Sequence, residues 1–102
     1  MDDLIEQARL TRVKWAEADG RARLMEEQRK VVLAEIFNNQ EGSAAMREKQ
    51  AYAHPRYKDH IGEMVQKRTE ANILWATVLA QSQNFDRWRT KESSRRAEMQ
   101  LR

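Results

Sequence analysis

The sequence predicts an all-α protein: a long antiparallel helical hairpin with a short intervening helix, coiled-coil-like and oligomeric. Three observations predict it. The chain has three glycines and one proline in 102 residues, too few breakers for the turns that a strand-rich fold needs. Two long segments place apolar residues at alternating steps of three and four, the stripe of an amphipathic helix of coiled-coil type. An Asn-Asn-Gln-Glu-Gly-Ser run and the single proline lie between those segments, where a hairpin would turn. The chain reads as a single helical domain, 1–102.

The first long helix spans 2–38. Asp2 and Asp3 suit its start, since acidic side chains cap free amides and favour the positive end of the helix dipole. Its stripe runs Leu4, Ala8, Thr11, Trp15, Ala18, Ala22, Met25, Val32 and Ile36, with Arg29 the charged residue on the seam. Gly20 lies inside this helix at a cost of roughly 1 kcal/mol relative to alanine. Either it lets a partner helix approach beside Ala18 and Ala22, or it is a tolerated surface glycine.

Asn38 to Ser43 end that helix, with asparagine and glycine suited to left-handed C-terminal positions and Ser43 to capping the next helix. A short helix over 44–53 comes next, with Met46 and Tyr52 as its anchors. The break at His54 comes from Pro55: a residue before proline is pushed out of the helical region, while proline suits a first helical turn.

The second long helix spans 55–85, and a basic helical tail occupies 86–102. Its stripe is Tyr57, Ile61, Met64, Ala71, Trp75, Val78 and Phe85, with Arg68 and Ser82 filling the gaps. At ~1.5 Å per residue the first helix would be ~50 Å long and the second, if continuous to Met99, ~65 Å. Laid antiparallel, the first helix covers residues 55–85 and leaves the tail without an intramolecular partner. Trp15, Met25, Val32, Ile36, Ile61, Met64, Trp75, Val78 and Phe85 are the expected helix–helix core. Two paired helices bury little, so a homo-oligomer is expected.

The chain has no cysteine, which excludes disulfides, thiol catalysis and cysteine-ligated metal. No apolar run approaches the ~18–20 residues that span a bilayer, and the opening MDDLIEQ is acidic where a signal peptide is basic. No membrane association and a soluble intracellular protein are expected. Glu26 with Lys30 and Glu63 with Lys67 read as acid-first pairs on solvated helix faces, not as catalytic carboxylates. His54 and His60 lack the spacing of a helical metal site, so His54 reads as a helix cap and His60 as a flank of the stripe. Ser43, Ser82, Ser93 and Ser94 have no histidine placed to activate them, and no phosphate loop is present. The expectation is no catalytic residue, no metal, no cofactor and no small-molecule substrate: not an enzyme.

Charge is unevenly placed. The net charge is +3, yet residues 1–50 carry nine basic and ten acidic side chains, against ten and six in residues 51–102. From Asp86 onward Arg87, Arg89, Lys91, Arg95, Arg96 and Arg102 face only Asp86, Glu92 and Glu98. Trp88 sits among these cations, beyond the reach expected of the first helix. An aromatic between arginines can stack on bases while guanidinium groups contact phosphates. Trp and Arg are also the commonest anchors of protein interfaces. The acids that dilute the tail favour a protein partner, with nucleic acid as the second candidate. Arg87, Trp88, Arg89, Lys91, Arg95 and Arg96 are the candidate contact residues.

Tyr52, Ala53, Pro55, Tyr57 and Lys58 compose a Tyr-Ala-x-Pro-x-Tyr-Lys helix start, and residues 88–99 read Trp-Arg-x-x-Glu-x-x-Arg-Arg-Ala-Glu-Met. In both, the chain resembles a group of short all-helical proteins of tailed bacteriophages, often encoded near early replication and recombination genes. The resemblance covers the last half of the chain; the first half shares only helical character. It implies a phage origin, the cytoplasm of a bacterial host and a link to DNA transactions. The group has no established activity, so no catalytic residue carries over. The combined expectation is a non-catalytic accessory or adaptor protein acting through the tail on a partner protein or nucleic acid. Its rival is a structural or inhibitory coiled-coil module that binds a host or phage protein and never touches nucleic acid.

Overall fold

The computed structural model describes residues 2–101. It contains three helices: α1 (Asp2–Asn38), α2 (Ala44–Ala53) and α3 (Pro55–Leu101). Among the described residues there is no strand, and the all-α hairpin is the observed fold. α1 and α3 pack antiparallel, giving a rod with extents of 85 × 21 × 15 Å. No helix among the described residues is long and apolar enough to cross a membrane.

The hinge is built from local capping. Gly42 takes the positive φ (113°) that an L side chain resists. The Ser43 hydroxyl then accepts a bond of 3.2 Å from the Met46 amide and starts α2. His54 serves two helices at once. Its amide donates to the Ala51 carbonyl at the end of α2, while its Nδ1 accepts from the Arg56 amide at 3.0 Å and starts α3. α2 is anchored by Ala51, which is buried; Met46 and Tyr52, the expected anchors, are 55% and 49% exposed. A ten-residue helix lying over the hinge offers one narrow face, and a small residue seats it most closely. Tyr52 packs edge-on against Tyr57 instead, and Arg47 lies 4.6 Å above the Phe37 ring.

The centre of the hairpin is an alanine seam. Ala18, Ala22 and Ala71 are buried together, with Leu74 packed on them. Ile36 and Val78 are also buried, and Trp15, Met25, Val32, Ile61 and Met64 are half-buried. Two residues of the expected core differ: Trp75 is 43% exposed and Phe85 is 36% exposed. At 3.6 residues per turn, positions 74 and 75 lie about 50° to either side of the Ala71–Val78 line, so the seam runs between them, with Leu74 on the more buried side. Trp75 remains in contact across the hairpin, its ring centroid 4.7 Å from that of Trp15. Gly20 is exposed, with open space around it, so alanines rather than glycine set the close helix approach. α3 is unbroken at Gly62.

A charged clamp crosses the seam. Arg68 donates to Asp19 at 2.7 Å and also to Glu26, while Arg23 reaches Asp19 at 2.9 Å. The Arg68 hydrogen bond holds the Asp19 carboxyl below the usual carboxylate range; Asp19 and then Glu26 raise Arg68 further. Glu26 is therefore spent between helices, not on Lys30. Lys67 meets Glu70 at 3.7 Å rather than Glu63. Arg56 binds Glu35 at 2.5 Å, and His60 Nε2 lies 2.7 Å from the Met25 carbonyl. These ties, from Thr11 with Gln81 to Glu35 with Arg56, fix one antiparallel register between those positions of α1 and α3.

Candidate docking surface at the open end of the hairpin

That register brings the start of α1 beside residues 78–88 of α3. Leu4, Ile5 and Ala8 of α1 face Val78, Phe85 and Trp88 of α3 around an apolar groove of about 390 Å³. Leu4 is 61% exposed and Trp88 45% exposed, so apolar groups line the groove but nothing in the hairpin covers them. Gln81 stands at its edge. Its amide donates to the Thr11 hydroxyl at 3.2 Å, and its Oε1 is buried with no hydrogen-bond partner.

Trp88 is thus not beyond the reach of α1, contrary to the expectation from helix lengths; it closes the groove against the first turns of that helix. It also stacks on Phe85, with centroids 6.1 Å apart and planes at 30°. The Arg89 guanidinium lies 6.0 Å from the Phe85 ring centre, within cation–π range. Arg89 to Leu101 then run past the start of α1 as an uninterrupted helix, an overhang of roughly 20 Å at ~1.5 Å per residue. No break separates the tail from the hairpin. From Phe85 to Leu101 every side chain is exposed except Glu92, which is half-buried beside Arg95 at 3.7 Å.

The six candidate contact residues share this one helix but not one face. Trp88, Glu92, Arg95 and Met99 prolong the seam at steps of four, three and four. Lys91 and Arg96 flank the seam on its two sides, with Arg87 beyond Lys91 and Arg89 beyond Arg96 further round the helix. Arg102, grouped with the basic tail, lies outside the described residues. Leu4, Ile5 and Ala8 were missed as partners of Trp88. Extending the Trp15–Trp75 pairing by about three helical turns would have found them. Among the described residues, no group of three or more histidines or acids is placed to hold a metal ion.

No protein-family model, curated protein or solved structure matches the chain.

Proposed function

We propose that this chain is a non-catalytic adaptor of bacteriophage DNA metabolism that holds a partner macromolecule on the overhanging end of α3. One observation carries the reading: α3 continues past α1 as a fully helical, solvated, basic segment headed by an exposed tryptophan. The hairpin gains nothing for its own fold from the stretch beyond Trp88, because α1 and α2 do not pack on it. Trp and Arg at its root are the residue types that anchor interfaces. The phage setting rests on the resemblance of residues 52–58 and 88–99 to short helical phage proteins, and with it the bacterial cytoplasm as the place of action.

Capture by the full-length protein in infected cells, with crosslinking to identify the partner, tests the reading. Charge reversal at Arg87 and Lys91 is expected to abolish capture with helicity unchanged. Capture that is indifferent to both substitutions would sink it. An oligonucleotide titration decides the class of partner. Contact with several phosphates makes affinity fall steeply between low and moderate salt, as the benefit of counterion release fades. The pairing of Arg95 with Glu92 lowers the free positive charge of the tail and favours a protein partner with no nucleic-acid contact. Absence of oligonucleotide binding even at low salt selects that second reading.

A further inference from the structure

The overhang carries a stripe with its own symmetry. Phe85, Trp88, Glu92, Arg95 and Met99 succeed one another at steps of three, four, three and four, continuing the seam beyond the end of α1. Reversed about a point between Ser93 and Ser94, the part of the stripe from Trp88 to Met99 maps onto itself: position 92 falls opposite 95, and 88 opposite 99. The reversal sets an acid against a base and an aromatic against a thioether. A parallel pairing would set Glu92 on Glu92 and Arg95 on Arg95.

We propose that a second copy of this chain covers the overhang, tail antiparallel to tail, about a two-fold axis near Ser93 and Ser94. This rests on the reading of the overhang as a docking segment and names its first occupant. The incoming α3 runs in the same direction as α1 and takes the place that α1 vacates. The partner's Met99 then sits over Trp88, at the mouth of the groove lined by Leu4 and Phe85. Methionine against an aromatic ring is a favourable contact, and at 66% exposure Met99 has no such contact within the chain. Glu92 lies between the partner's Arg95 and the partner's Arg96, and by symmetry the exchange occurs twice. Such a self-complementary patch closes on itself as an isologous dimer. Arg87 stays outside the pairing, free for a further partner, while Lys91 flanks the stripe on the side opposite Arg96.

A competing face exists. Leu10, Val13, Leu24 and Val31 are 42–55% exposed along α1 and could pair two rods side by side. The charge pattern prefers the tails. The overhang is the better match, because reversal sets Glu92 against Arg95 and Arg89 against Glu98, with Lys91 opposite Arg96 the one like-charge meeting, and nothing within the chain packs along it.

Sedimentation and small-angle scattering of the full chain test the proposal. The expected particle has twice the 12.1 kDa chain mass. Its longest dimension is roughly 150 Å, two 85 Å rods overlapping by the ~20 Å of the overhang at ~1.5 Å per residue. Glu92→Arg alone should raise the dimer dissociation constant at least about tenfold, the equivalent of about 1.4 kcal/mol. Glu92→Arg combined with Arg95→Glu should restore it. The double exchange also keeps the acid–base pair within one helix, so circular dichroism of the single variant shows whether lost association reflects lost helix. Arg87→Gln should leave the mass unchanged. A monomer at high concentration, a dimer no longer than about 85 Å, or association indifferent to Glu92→Arg would each overturn the proposal. So would an overhang that gains mass only on adding an oligonucleotide or another protein. Failure of the docking reading shows separately, as partner capture that ignores Arg87 and Lys91.

Discussion

The two ends of the rod are built on opposite principles. At the hinge, Ser43 and His54 cap the adjoining helix ends, Ala51 and Ile36 are buried, and Arg56 ties α3 to Glu35 across the helices. At the open end Leu4, Phe85, Trp88 and Met99 are exposed, Gln81 Oε1 lacks a partner, and α3 runs on alone. The hinge is capped and tied within the chain, although Arg47 Nε there is, like Gln81 Oε1, buried without a hydrogen-bond partner; the open end leaves its large apolar side chains uncovered. On the proposed function, the residues that hold the fold and those offered to a partner lie in separate regions. Substitutions in the first half of the rod should unfold it, and those beyond Phe85 should change what it binds.

The largest effect is expected where the two helices meet most closely. Ala22 and Ala71 have no exposed surface, and alanine is the side chain that lets the two backbones approach. Ala71→Leu forces the helices apart and should cost about 1–3 kcal/mol, the usual range for overpacking. Urea unfolding monitored by circular dichroism measures it. An unchanged midpoint would mean that the alanine seam is not what joins the hairpin, and the contrast between its two ends would lose its basis.

At the hinge, Ser43→Ala removes the side-chain acceptor of the Met46 amide. It should cost about 1 kcal/mol, the typical value for a lost N-cap. The same experiment sharpens the comparison, because truncating exposed Leu4 at the other end should move the midpoint less than Ser43→Ala does. The reverse order would show that the open end is already closed within one chain.

Legibility in the sequence divides the molecule in the same way. The hinge can be read because caps and breakers act over two or three residues: Gly42-Ser43 and His54-Pro55 specify their turns without reference to distant parts. The open end cannot be read that way. Its groove joins Leu4 to Trp88, and only the side-chain ties between helices set the register that brings them together. The seam lies between these cases. Its periodicity identifies the buried face, but positions 74 and 75 lie equally far from that face's midline, and only the facing helix makes Leu74 the more buried of the two. Arg68 shows a further limit. As a charge on an apolar stripe it reads as an interruption, and the Asp19 and Glu26 that make it a clamp are supplied by another helix.

The smallest expected effect concerns pH and arises at that clamp. Hydrogen bonding from Arg68 lowers the Asp19 pKa in the folded state, so the ionised carboxylate favours folding. Its contribution is whole above the ordinary aspartate value, about 3.9, and is lost as pH falls through the lowered folded value. Unfolding midpoints should therefore hold steady from neutrality to about pH 5 and decline below about pH 4. Asp19→Asn should flatten part of that decline while lowering stability at neutral pH. Glu6 tests the comparison from the other side. Its pKa is also lowered, by a hydrogen bond from Arg9, but both partners lie on the solvated face of α1. Glu6→Gln should leave the acid limb almost unchanged, since exposed pairs contribute little. If Glu6→Gln flattened the limb as much as Asp19→Asn, the clamp across the seam would be no stronger than a surface pair. The alanine contacts would then hold the helices together by themselves.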